Sequence, residues 1–218
     1  MFYLRNFLYL IVFIGYSISF AGSYDDFFSA IDRDDAQRVK LLLRRGFDPN
    51  AVNPKGEYAL VLALRQSSLA VAQLLISHPA TRVEVRTGKD ESPLMLAAIK
   101  GQLEICRHLI ARDADVNKPG WAPLHYAASG GKAEVVQLLL DHYAYLDAES
   151  PNGSTPLMMA AMYGSVDTVQ MLLLAGADPT LKNSRGLTAL DFATKADHPG
   201  AVALIAKALR GKLPEGSW

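Results

Sequence analysis

A leucine returns through this chain at an almost constant interval. Leu60, Leu94, Leu124, Leu157 and Leu190, with Phe27 ahead of them in the same register, are separated by 33, 34, 30, 33 and 33 residues. A period that long means that a supersecondary unit is repeated, each copy burying its apolar side against the next. Residues 153–183 show the unit in full. The turn Asn152-Gly153 leads into Thr155-Pro156-Leu157, where proline suits a first helical turn because the N–H it lacks would have no partner there. The apolar run Leu157, Met158, Ala160, Ala161 stops at Gly164. A second run, Val166, Val169, Met171, Leu172 and Leu173, has helical spacing and ends at Gly176, a favourable residue just past a helix end. The extended loop Ala177-Asp178-Pro179-Thr180 closes the unit, so the pattern predicts helix, turn, helix, loop.

The recurring leucine sits in Ser92-Pro93-Leu94, in Trp121-Ala122-Pro123-Leu124-His125-Tyr126-Ala127-Ala128 and in Thr155-Pro156-Leu157. Gly176-Ala177-Asp178 and Ala114-Asp115-Val116-Asn117 mark the exits. On these residues the chain resembles the ankyrin-repeat family. The resemblance covers roughly residues 24–210. It implies an all-α fold, an ankyrin-repeat solenoid of about six helix-turn-helix repeats with β-hairpin fingers. The repeats fall at about 24–53, 54–87, 88–117, 120–150, 153–183 and 186–210, in a domain over 22–212 followed by a tail at 213–218. It also implies that His125 is structural, hydrogen-bonded to nearby loop backbone, and that a protein partner is held on the concave face.

Twenty-two basic and 22 acidic residues cancel. No net field therefore draws the chain to nucleic acid or to an anionic membrane. The single Cys106 excludes an intramolecular disulfide and a cysteine-based metal cluster. Residues 1–21 read as a secretory signal peptide. Arg5 supplies the early positive charge, Phe7 to Ile14 are almost wholly apolar, and Ser19-Phe20-Ala21 suits cleavage after Ala21. The alternative is an uncleaved N-terminal membrane anchor, since residues 6–20 approach the lower limit of a spanning length. Cleavage would remove Arg5 and leave 21 basic against 22 acidic residues. Export without disulfides points to a periplasm or to secretion, with no stable membrane insertion after cleavage.

Departures from the repeat carry information of their own. The first repeat is a cap, with Phe27, Phe28, Ala30 and Ile31 on one face and Arg44-Arg45 suiting the helix C-terminal dipole. In the second, Tyr58-Ala59-Leu60-Val61 replaces the usual motif, and 82–86 alternate as an extended hairpin arm would. Only Lys118-Pro119-Gly120 separates Asn117 from Trp121, so one finger is short. His108, in the register of Leu138 and Met171, is expected to pack. Cys106, in the register of Val136 and Val169, is expected to be buried. Tyr143 stands where Gly46 and Gly176 end their helices; a left-handed backbone suits tyrosine poorly, so a different ending is expected there. Tyr143 and Tyr145 either form a partner patch or cover the flank of the next repeat.

No phosphate loop, H-E-x-x-H, C-x-x-C or G-x-S-x-G occurs. The five histidines, His78, His108, His125, His142 and His198, are spread over five repeats. No catalytic, cofactor or metal residues are therefore assigned, and the expectation is a monomeric, non-enzymatic protein-binding scaffold. By the resemblance, finger tips and first-helix ends line the groove. The candidate protein-binding residues are Glu57, Arg65, Gln66, Glu91, Ile99, Lys100, Trp121, Ser154, Met162 and Tyr163, with Leu187 at the last tip. Trp121 could instead fold onto the short finger and serve packing alone. Some exported bacterial ankyrin-repeat proteins support stress defence, which is one expected role; a secreted effector or an immunity-type protein that binds a foreign protein is the other.

Overall fold

The computed structural model of the protein describes residues 22–212; the expected signal segment and the tail lie outside the described residues. The described chain divides into two compact units between Arg82 and Val83. The first holds α1 (22–32), α2 (Ala36–Arg44), α3 (Ala59–Gln66) and α4 (Leu69–Ser77). The second opens with α5 (Pro93–Lys100), α6 (Leu103–Ile110), α7 (Pro123–Ser129) and α8 (Ala133–Asp141). It continues with α9 (Pro156–Tyr163), α10 (Val166–Leu174), α11 (Ala189–Lys195) and α12 (Pro199–Lys212). In this unit α5, α7, α9 and α11 form one row, each against the next, and α6, α8, α10 and α12 form a second. The architecture is all-α, as the period predicts.

The repeated motif works through helix capping. Hydroxyls of Ser92, Thr155 and Thr188 accept from the N–H three residues on, at 3.2, 3.4 and 3.3 Å. The residue after the recurring leucine returns the bond by accepting from the cap residue's own N–H. Sulfur does this in Met95 and Met158, Nδ1 in His125 and a carboxylate oxygen in Asp191. Each pairing satisfies donors that a helix start leaves orphaned. Val61 has no acceptor to offer, and the cap of α3 has no side-chain hydrogen bond. That explains in physical terms why the second repeat departs from the motif.

The core follows the register. Phe27, Leu60, Leu94, Leu124 and Leu157 are all buried, whereas Leu190, with a described neighbour on one side only, is partly open. In the first unit the cap is aromatic: Phe27 lies 4.4 Å from Phe47 and 5.5 Å edge-on from Phe28. Cys106 is buried like Val136 and Val169, and burial pushes its thiol up to about 12. His108 does not pack. It is exposed, because α6 buries Ile105, Cys106 and Leu109 and turns His108 to the opposite side.

Every positive φ among the described residues falls in one of three registers. One closes the first helix (Asp34, Ser67, Gly101, Gly131, Asp197), one the second (Gly46, Asp113, Tyr143, Gly176), and one lies in the finger (Gly56, Asp90, Gly120, Gly153, Gly186). Tyr143 thus takes the left-handed backbone that its side chain disfavours, at φ 62°. The surrounding bonds require it. Ala144 N–H must reach the Leu139 carbonyl at 2.9 Å, and Asn117 grips both sides of the turn, donating to the Tyr143 carbonyl and accepting from Tyr145 N–H, each at 2.7 Å. Tyr143 and Tyr145 are 86% and 69% exposed, so neither covers the neighbouring repeat.

The fingers are tight turns, not the β-hairpins expected. Among the described residues no strand forms, and Val52 and Tyr58 make one isolated antiparallel bridge. The N–H of Asn53, Thr87, Ser150 and Asn183 reaches the carbonyl four residues on, at 2.9–3.0 Å, and Ala59 N–H adds a second rung to the Ala51 carbonyl at 3.0 Å in the first finger. Side-chain oxygens of the same residues accept the N–H groups inside the turn, for example Asn53 Oδ1 from Lys55 and Glu57, so the tip is held by its own first residue. The finger at Asn117 is three residues shorter in register and has no room for the rung.

Candidate functional site

The predicted residues do not behave as one set. In the first unit Glu57 and Arg65 form an ion pair, and Asn53 Nδ2 donates to Glu57 at 2.9 Å. The Asn53 bond, with help from Arg65, holds the Glu57 carboxyl below its ordinary value. Gln66 Nε2 donates to Asp32 at 2.8 Å, tying α3 to the preceding repeat. In the second unit Glu91 accepts from Thr87 Oγ1 at 3.1 Å and bonds the Tyr126 hydroxyl. Burial, then the charge of Glu91, pushes the Tyr126 phenol up to about 12. Ile99 and Lys100 are exposed at the end of α5, and partial burial lowers the Lys100 ammonium pKa.

Five predicted residues do converge. Trp121, Ser154, Met162, Tyr163 and the last tip residue, Leu187, line one depression of about 470 Å³ in the second unit. Trp121 enters from the short finger and stands edge-on to His125, with ring centroids 5.3 Å apart. Tyr163 ends α9 and is 61% exposed, while Met162 is half-buried beside it. Ser154 is 1% exposed and belongs to the floor. Its carbonyl accepts from His125 Nε2 at 3.0 Å, and its hydroxyl from Asn183 Nδ2 at 3.4 Å. His125 Nδ1 accepts from Ala122 N–H at 3.1 Å, so the ring is the neutral tautomer with its proton on Nε2. Burial pushes its pKa below the ordinary 6.5.

The sequence profile described as ankyrin repeats (3 copies) matches residues 27–119, 112–183 and 145–212, which together span nearly all of the described chain. The chain belongs to the ankyrin-repeat family. Relatives of this ankyrin-repeat chain include the mouse B-cell lymphoma 3 protein homolog, 33% identical over 70% of this chain and 36% of the mouse protein. The human transient receptor potential cation channel subfamily A member 1 is 28% identical over 80% of this chain and 16% of its own length. The chicken nuclear factor NF-kappa-B p105 subunit is 29% identical over 77% of this chain and 18% of its own. The chain thus spans about a third or less of these relatives.

Other wall residues of the depression escaped the sequence reading: Met159 and Phe192, with Arg185, Asp191 and Lys195 at the rim. A signal for two of them was present. Met159 and Phe192 each stand two residues after the recurring leucine, the register of Tyr126, and all three are only partly buried. On α9, whose eight residues are apolar nearly all round, and on α11, only seven residues long, the pattern does not mark which side faces the core. Among the described residues no group of three His, Cys, Asp or Glu side chains converges as metal ligands would. No described helix is long and apolar enough to cross a membrane.

Proposed function

We propose that this ankyrin-repeat chain is a non-enzymatic scaffold, exported to a periplasm or secreted, that holds a partner protein in the depression of its second unit. The observation that carries the reading is the convergence of Trp121, Met162 and Tyr163, drawn from two successive repeats, around an open volume of about 470 Å³. Aromatic and long apolar side chains gathered on an exposed surface are the usual anchors of an interface. Export is supported by the charge and apolar pattern of residues 1–21, and a part in stress protection is the role that the family resemblance suggests for such an exported scaffold.

The test is a photo-crosslinking residue at position 162 in the expressed full chain, with capture compared between the otherwise unaltered parent and the Trp121→Ala and Tyr163→Ala variants. One partner captured in the parent and lost about tenfold or more in both variants supports the groove. Equal capture by all three removes it. Tyr163→Ala leaves the thermal midpoint nearly unchanged, because its side chain is mostly in solvent. Intact mass of the exported protein reads the other half: a chain beginning near Gly22 agrees with cleavage, and one retaining residues 1–21 makes the segment an anchor.

A further inference from the structure

The walls of the depression are apolar, but its rim is not neutral. Trp121, Met159, Met162, Leu187 and Phe192 surround a volume large enough for one or two bulky side chains. The lining holds one acid, Asp191. Its Oδ2 accepts from Thr188 N–H and from Thr188 Oγ1, both at 2.7 Å, which lowers its pKa, keeps it charged and fixes it to the start of α11. The cations are not engaged. Arg185 and Lys195 are exposed, and neither side chain makes an ion pair or hydrogen bond among the described residues. The same holds for the amide NH2 of Asn152 and the indole N–H of Trp121, which also face the depression. Two cations against one acid pinned to its own helix leave an excess of positive charge around an apolar hollow.

We propose that this depression seats a large apolar side chain of an extended acidic segment, whose flanking carboxylates are taken by Arg185 and Lys195. The proposal rests on the groove reading above and adds the chemistry of the occupant. An apolar anchor fills the hollow, and charge complementarity at the rim sets its partner and direction. A basic segment would meet the excess positive charge of this rim and is disfavoured.

The chain has two tryptophans, Trp121 and Trp218. In a Trp218→Phe background, Trp121 emission reports the depression alone. The probes are an acetylated, amidated peptide Glu-Asp-Phe-Leu-Glu-Asp, the same peptide with Ala for Phe and Leu, and one with Lys for every acid. The expected result is a saturable emission change with the first peptide, weakening as salt rises. The alanine peptide binds about tenfold or more weakly, and the lysine peptide does not bind. Arg185→Glu with Lys195→Glu reverses the preference toward the lysine peptide, with an unchanged thermal midpoint because both side chains lie in solvent. Equal binding of acidic and basic peptides, or no saturable change up to millimolar concentration, overturns the inference. Crosslinked capture at 162 with no peptide binding overturns it while leaving the groove reading intact. Peptide binding with capture elsewhere on the chain supports the acidic-segment chemistry and removes the proposed function.

Discussion

Tyr143 shows how far a repeat overrides the preference of one residue. A non-glycine residue in the left-handed region costs about 1–2 kcal/mol, yet Asn117 and the Ala144–Leu139 bond hold the turn closed around it. Glycine removes that strain but gives back part of the gain as backbone entropy of the unfolded chain. Tyr143→Gly is therefore expected to raise stability by about 0.5–1 kcal/mol, read as a higher urea midpoint at unchanged slope. His125 makes the opposite case, because its residue type is what the site uses. Its lowered pKa means that between the folded value and the ordinary 6.5 the unfolded chain binds a proton that the folded chain does not. The contribution of His125 is thus fully present above about pH 6.5 and declines as pH falls below it. His125→Met keeps an acceptor of the kind that Met95 and Met158 supply. It should flatten that part of the pH profile and cost about 1–2 kcal/mol at pH 7.5, because the Ser154 carbonyl loses its bond. An identical pH slope in the parent and the variant would show that another group titrates there.

At the scale of elements, the spacing between first helices in the second unit is set by backbone against backbone. A Cβ on Gly130 would stand 2.3 Å from the Ile99 carbonyl oxygen, and one on Gly164 2.4 Å from that of Ala128. Gly130 has an ordinary helical φ of −75°, so its absence of a side chain is about space alone. Gly130→Ala must push α7 away from α5, and overpacking of that kind costs about 1–3 kcal/mol. We expect a value in the upper half of that range by urea denaturation. A loss below 0.5 kcal/mol would mean that the helix ends slide apart freely. The junction after α9 departs from its equivalents. Asp35, Ser68, Gln102, Lys132 and His198 each donate their N–H to an alanine carbonyl five residues back. At Ser165 the preceding Gly164 is extended, with ψ −158°, and the hydroxyl of Ser165 caps α10 through Thr168 N–H at 3.2 Å. That departure lies next to Tyr163, on the wall of the depression.

For the whole molecule, the charge balance is the simplest property with a measurable consequence. Equal numbers of acidic and basic residues place the sequence pI near 7.0. A protein with little net charge has weak self-repulsion. Light scattering of the purified chain should be highest close to pH 7 and fall by pH 5 and pH 9. The same balance predicts that the chain passes through a DNA-cellulose column at 150 mM salt, as about the physiological ionic strength screens isolated basic patches. Retention would reveal a basic surface that the neutral total conceals.

Helix starts and helix order were legible in the sequence because they depend on residues within one or two turns of one another, and the period because the same leucine recurs at a fixed interval. A proline and a leucine at fixed offsets mark a helix start whatever surrounds them, and a period near 33 residues specifies stacking; the hydroxyl caps emerged only in the structure. Cys106 could be placed by register for the same reason, and so could Trp121 and Tyr163 at the depression. The rest depended on atoms distant in the chain. Tyr143 was misjudged because the grip of Asn117, 26 residues earlier, outweighs a local φ preference. The resemblance implies hairpin fingers, whereas the fingers are tight turns held by side chains of their own first residues, with one bridge at Val52 and Tyr58. Ser154, a candidate by position, is buried where His125 of the preceding repeat and Asn183 at the far end of its own repeat bond it. Arg185 and Lys195 became candidates only when α9 and α11 were seen to face each other across a hollow, since no local pattern records which charges lack partners.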